Sequence, residues 1–301
     1  MILKGDSFHS SPFSYLSETN YLRSSNTQRM NTEQQRFYPT FLGAAHLVIL
    51  YIFIQTIVDF PLAIWDYYHG TEYLYNPAKK IILGVGSIVF ILYFGYRKAK
   101  TSIDKLFPVK LFNPLILLPV TLFLMSAQIF LTEVNLWVDS WLPAPPWFWE
   151  LFDKIFDNDL GIWGAFLKVV IIAPIIEELI FRGIIMHGFM RNYPQLIAIF
   201  FSGLLFALFH LNPWQFPATF MLGCLLGWIM IITRNIFACI LGHAINNLLV
   251  LLSIEYNREI SEFSFFLLKR NEQLHISYLV AALSLVLIGL FAAFKRKKVV
   301  A

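Results

Sequence analysis

Long uninterrupted runs of apolar positions, parted by short polar stretches, set the layout of this chain. The run Phe41 to Val58 holds 18 residues without a charge, and Leu111 to Thr132 holds 22. As helices, each is long enough for a hydrocarbon layer roughly 30 Å thick. Continuous runs fit helices rather than the alternating strands of a membrane barrel. The same pattern predicts eight spans, at about 41–58, 80–96, 111–132, 161–187, 195–210, 217–233, 235–253 and 275–294. The fold class expected is all-α, a polytopic transmembrane helical bundle.

The polar stretches complete the organisation. Residues 1–40 are rich in Ser, Asn, Gln and Arg and lack the apolar core of a secretory signal, so they read as a mobile polar tail. Residues 41–132 carry the first three helices. In the connection 133–160, Phe148, Leu151, Phe152, Ile155 and Phe156 recur at helical spacing, with Glu150, Asp153, Lys154 and Asp157 on the other face. That pattern predicts an amphipathic helix on the membrane surface ahead of the fourth span, or an ordinary amphipathic connector. Residues 161–253 form the polar-studded helical core, and 254–301 a loop, the last helix and a basic tail.

Composition agrees with the pattern: 57% of residues are hydrophobic and 14% charged, too apolar for a soluble domain of 301 residues. Charge then sets the orientation. Arg23, Arg29 and Arg36 precede the first span, Arg97, Lys98, Lys100, Lys105 and Lys110 lie between the second and third, and Lys295, Arg296, Lys297 and Lys298 follow the eighth. An even number of spans puts all three clusters on one side, which the positive-inside rule makes cytoplasmic, with both termini. The acidic connection 133–160 falls on the other side. The net charge of +4 therefore reads as a topology signal, and no nucleic-acid partner is expected. Cys224 and Cys239 stand in apolar segments with no C-x-x-C spacing, which suggests neither a disulfide framework nor a thiolate metal site.

Against this background the stretch IIEELIFRGII, residues 175–185, stands out, because Glu177 and Glu178 are the only acids between Gly161 and Ser253. A charge at the centre of a membrane helix costs about 2.5–3.5 kcal/mol on insertion scales, so it faces a partner or a wet cavity. Glu178 and Arg182 are four apart in the favourable acid-first order, natural ion-pair partners. If they pair, Glu177 is the carboxylate left for chemistry. Downstream, FALFH carries Phe206 and His210, and HAINN carries His243, Asn246 and Asn247. His243 and Asn247 share a helix face, and antiparallel helices would hold Glu177 and His210 at similar depth. One polar pocket could collect Glu177, His210, His243 and Asn247. A carboxylate and an imidazole can deprotonate a water, while an imidazole and an amide can stabilise an oxyanion, which fits peptide hydrolysis within the membrane. The same residues could instead be interhelical hydrogen bonds holding the bundle together. His46, His69, His187 and His275 have no comparable companions and are given no role.

EELIFRG, FALFH and HAINN together resemble the three motifs of the CPBP family, the CAAX protease and bacteriocin-processing proteins: E-E-x-x-x-R, F-x-x-x-H and H-x-x-x-N or H-A-x-x-N. The resemblance covers about residues 140–253. It implies a glutamate-dependent intramembrane endopeptidase with Glu177 as general base and His210 as its partner in holding the water. It makes His243 with Asn247 the oxyanion stabilisers and Glu178 with Arg182 supporting residues. The last motif has two registers, since Asn246 and Asn247 are adjacent; H-x-x-x-N selects Asn247. Eukaryotic relatives cut prenylated C-terminal CAAX proteins, and bacterial ones are tied to peptide maturation or bacteriocin immunity. The implied partners are membrane lipid and a membrane-associated or prenylated peptide.

No cofactor is expected. The rival enzyme is a zinc protease using Glu177, His210 and His243, although the H-E-x-x-H spacing is absent. A non-catalytic adaptor or immunity-type protein and a proton-coupled transporter are the rivals from other classes.

Overall fold

The computed structural model describes residues 36–111, 113–148, 150, 161–255, 278–281 and 283–284. The polar tail up to residue 35, most of the expected surface helix and most of span 275–294 with its basic tail lie outside the described residues. All the described helices belong to the unit Phe37–Ala301.

Helix α1, Phe41–His69, starts where Thr40 Oγ1 accepts the Gly43 amide and stops at Gly70, which takes a left-handed φ of 63°. Asn76 caps α2, Pro77–Ala99, by accepting the Lys79 amide. After a one-turn helix, Ile103–Leu106, and a 3₁₀ turn, Pro114–Ile116, comes α3, Leu117–Trp141. Helix α4 runs through 161–192 without a break, but its hydrogen-bond register changes along the way. Phe166–Ile172 and Leu179–Ile185 are π-helical, with Ala173–Glu178 α-helical between them. Helices α5, Gln195–Phe209, α6, Phe216–Thr233, and α7, Ile236–Glu255, complete the described bundle. Among the described residues there is no strand, only a lone bridge between Val109 and Asn235.

Among the described residues, three helices are long and apolar enough to cross a membrane alone: Phe41–His69, Ile82–Ala99 and Phe216–Thr233. Pro114–Ala127, Gln195–Phe209 and Ile236–Leu252 are apolar but shorter. The eight expected spans are thus met only in part. Helix α5 has 15 residues, about 22 Å of rise, and α4 carries its charges mid-helix. The first span is longer than its uncharged run, because α1 continues past Asp59 and through Pro61 to His69. On α1, Leu42, Ile49, Phe53, Ile57 and Phe60 face outward while Ala44, Leu47 and Val48 are buried. An outward apolar stripe of this kind is unfavourable in water and at home in lipid, which together with the apolar helices marks an integral membrane protein.

Helices α5 and α6 cross closely: a Cβ on Gly223 would stand 2.8 Å from Gly203 Cα, so only glycine allows this approach. The segment just before α1 is docked on the end of α4. Asn192 Oδ1 accepts the Phe37 amide at 2.9 Å and Asn192 Nδ2 donates to the Phe37 carbonyl at 2.6 Å. Gly188 leaves room for Pro39 at this contact. Residues 37–40, grouped with the polar tail on composition, are therefore ordered against the bundle. Burial pushes the Tyr38 hydroxyl up to about 12.

Candidate active site

Glu177 and Glu178 are the last two residues of the short α-helical stretch between the two π-helical ones. π-Helical turns recur at functional sites, where they re-aim side chains within an otherwise regular helix. Successive residues point about 100° apart, so the two carboxylates serve different neighbours.

Glu178 faces inward and is fully buried, as is Arg182 one turn on. Arg182 Nη1 donates to Glu178 Oε1 at 2.9 Å, and Nη2 donates to the Gly223 carbonyl at 2.8 Å. The guanidinium also lies over the Phe206 ring, 4.7 Å from its centroid. A charge pair in so dry a place needs this many partners to offset its desolvation. Glu178 Oε1 accepts a second hydrogen bond, from His243 Nδ1 at 2.9 Å. The proton of His243 is thereby held on Nδ1, and Nε2 faces away from Glu178 with its lone pair.

His210 is fixed in the same tautomer by a different group. Its Nδ1 lies 2.8 Å from the Phe206 carbonyl, which can only accept, so Nδ1 carries the proton. The Phe206 ring meets both histidines edgewise, at 4.9 Å from His210 and 5.5 Å from His243. One phenylalanine thus sets the positions of both imidazoles and of Arg182.

Glu177 completes the arrangement. Its Oε2 stands 3.9 Å from His210 Nε2 and 4.0 Å from His243 Nε2, and makes no hydrogen bond among the described residues. Three acceptors therefore converge, each too far from the next for direct bonding. Two hydrogen bonds of about 2.8 Å meeting near a right angle at one water oxygen place their far ends about 4 Å apart, so the spacing suits a shared water. Glu177 and His210 keep 15% and 25% of their side-chain surface exposed, whereas His243 keeps 3%. The site is reached from the Glu177 and His210 side.

Asn247 stands one turn along α7 from His243. Its Nδ2 donates to the Val169 carbonyl in the first π-helical stretch at 2.9 Å, and its Oδ1 accepts from Asn246 Nδ2 at 3.1 Å. A second amide hydrogen of Asn247 remains for another acceptor. Among the described residues no group of three or more His, Cys, Asp or Glu side chains is arranged to hold a metal ion.

The structure thus brings Glu177, His210 and His243 together, with Glu178 and Arg182 behind them and Asn247 alongside. Sequence reasoning missed Gly223 and Val169, which act through carbonyls that every residue possesses. It also quoted Phe206 without giving it a task. The i, i+4 spacing of Phe206 and His210 was the available signal.

Residues 159–249 match a family model described as Rce1-like, type II CAAX prenyl endopeptidase Rce1-like. No curated protein and no solved structure matches the chain.

Proposed function

We propose that this chain, with a CAAX-endopeptidase-like segment in a membrane-embedded bundle, hydrolyses a peptide bond of a membrane-associated or lipid-anchored substrate. The convergence of His210 Nε2 and His243 Nε2 on Glu177 Oε2 carries the proposal. A water held there donates one hydrogen to Glu177 and the other to His210. As its oxygen attacks the scissile carbonyl carbon, Glu177 takes the first proton. The resulting oxyanion accepts a hydrogen bond from the remaining amide hydrogen of Asn247. Glu177 returns its proton to the amine nitrogen as the C–N bond breaks, leaving an acid and an amine.

An apolar groove of about 320 Å³ supports a lipid-bearing substrate. Phe123, Leu124, Met221, Leu225 and Trp228 line it, and Asn246 is its polar member. It places hydrocarbon beside the asparagine pair and so suits a chain entering laterally. The positive-inside rule makes the side that gathers Arg97, Lys100, Lys105, Lys110, Arg191 and Arg234 cytoplasmic, and we assign both termini to that side on the sequence pattern.

Comparative mass spectrometry of membrane peptides, from cells with and without the chain, tests turnover and finds the substrate; identical peptide profiles would favour an adaptor. A second reading rests on the same three atoms. A His–His–Glu donor set with both Nε2 lone pairs facing inward is also what a catalytic zinc takes. Tetrahedral ligands about 2.0 Å from zinc stand about 3.3 Å apart, closer than the 3.9 and 4.0 Å observed, which favours water. Cleavage that survives chelation supports the water mechanism, and loss restored by zinc supports the other.

The asparagine pair gives a sharper test. Asn247→Ala is expected to lower kcat by about 10² to 10³ with little change in KM, the usual result of removing an oxyanion donor. Asn246→Ala should cost less, because Asn246 acts by holding Asn247 Oδ1. Steady-state kinetics of both variants decide; the reverse order would hand the role to Asn246.

A further inference from the structure

Along the C-terminal half of α4, beyond Glu177, a cavity of about 1270 Å³ opens between α2, α4 and α6. Its wall carries Arg97, Lys100, Lys105, Lys110, Arg191 and Arg234, against a single acid, Asp104. The proposed peptidase chemistry uses none of them. The fold holds the cations together rather than letting them splay. Asn235 Nδ2 donates to the Lys110 carbonyl at 2.6 Å, the Ile236 amide to the Pro108 carbonyl at 2.9 Å, and Leu106 is fully buried. The loop 100–110 is therefore pinned to the turn between α6 and α7, although like charges so gathered repel one another.

Two further groups on the wall have polar atoms without a protein partner. Arg182 Nε and His187 Nε2 are buried and make no hydrogen bond among the described residues, and Arg182 is fully buried as a residue. A cavity that is cationic at the rim and has unmet polar atoms in its wall is built for an anion. Guanidinium and ammonium groups together are the usual partners of phosphate oxygens. The volume exceeds the ordinary range for small-molecule pockets and leaves room for two phosphates or for a phosphate with its glycerol. Its level in the bundle also matters. Arg97 is in the last turn of α2, and Arg234 directly follows α6, both helices that qualify as membrane spans. The cavity thus lies at a membrane boundary, where basic pockets between helices meet anionic headgroups.

We propose that this cavity binds a phosphate-bearing anion, either a lipid headgroup or a free phosphate compound. Arg182 joins it to the proposed catalytic stretch of α4, because the same guanidinium in the cavity wall holds Glu178. Any effect on cleavage rests on the endopeptidase reading; binding itself does not.

The test measures binding by the purified full chain, so that it stands whether or not cleavage is found. Melting is followed in neutral detergent with and without inorganic pyrophosphate, and in nanodiscs of phosphatidylcholine with and without phosphatidic acid. The expected result is a rise of several degrees with at least one probe, weakened by salt. It should be lost in Arg97→Gln/Lys105→Gln and kept in the charge-preserving Arg97→Lys/Lys105→Arg. A shift with pyrophosphate identifies a free phosphate ligand, and a shift with phosphatidic acid alone identifies a headgroup. Should the glutamine double variant not fold, Lys110→Gln carries the same comparison. The proposal is overturned if neither probe shifts the wild type, or if the neutralised variant keeps the full shift.

Discussion

Glu177→Gln is expected to abolish peptide cleavage while the chain still inserts and folds. The amide has the shape of the carboxylate but cannot take a proton from water at neutral pH, and loss of a general base costs typically 10² to 10⁴ in rate. The geometry adds a second reason. Both Nε2 atoms facing Glu177 Oε2 are acceptors in the tautomers held by Glu178 and the Phe206 carbonyl. A glutamine could turn an N–H toward them and hold the space meant for the water's hydrogens. Protein level in membranes and cleavage of a substrate peptide should be measured on the same preparations. Cleavage at the wild-type rate would remove Glu177 as the base.

Glu178→Ala has the largest expected effect on stability. It strands a fully buried guanidinium, and breaking a buried pair in this way costs roughly 3–5 kcal/mol in soluble proteins. It also frees His243 Nδ1, so the imidazole loses the contact that selects its tautomer and activity falls together with stability. Arg182→Met alone leaves Glu178 with His243 but strips the Gly223 carbonyl of its donor. The double variant should melt well above the sum of the two losses, since the charge that each single change leaves buried is gone. Thermal melting of the four proteins in detergent closes the cycle. Strict additivity would mean that the pair is not coupled.

The pairing of Glu178 with Arg182, and the separation of Glu177 from both, could be read from spacing because an α-helix places i and i+4 on one face. Depth counting was enough to set Glu177 near His210, since both lie a similar number of residues from the turn between α4 and α5. Other features leave no such trace. The switch to π-helical hydrogen bonding changes which carbonyl an amide reaches, not which positions are apolar, so Leu179–Ile185 looks like ordinary helix in the sequence. The Asn246–Asn247 bond joins neighbours that helical reasoning assigns to different faces. The basic cavity was hidden for another reason: Arg97, Arg191 and Arg234 come from three separate turns, and the charges were used only to orient the spans. The overlong α1 was missed because an uncharged run sets the least length of a helix and not its end; Pro61 sits inside it without stopping it.

The two π-helical stretches also say something about how α4 can change. A π turn contains one residue more than the α turn it replaces, so each stretch amounts to a one-residue insertion absorbed without breaking the helix. Removing one residue between Gly183 and Ile185 would return Leu179–Ile185 to the α ladder and leave Glu177 and Glu178 where they are. Everything beyond would keep its phase, since a π turn takes one residue more than an α turn to cover about the same rotation. Gly188 would stay against Pro39, and His187 and Arg191 in the wall of the cationic cavity. The change would be confined to the stretch itself, where the amide-to-carbonyl pairing is reset around Arg182, so the one residue in excess bears on the aim of the guanidinium that holds Glu178 and leaves both ends of the helix in place.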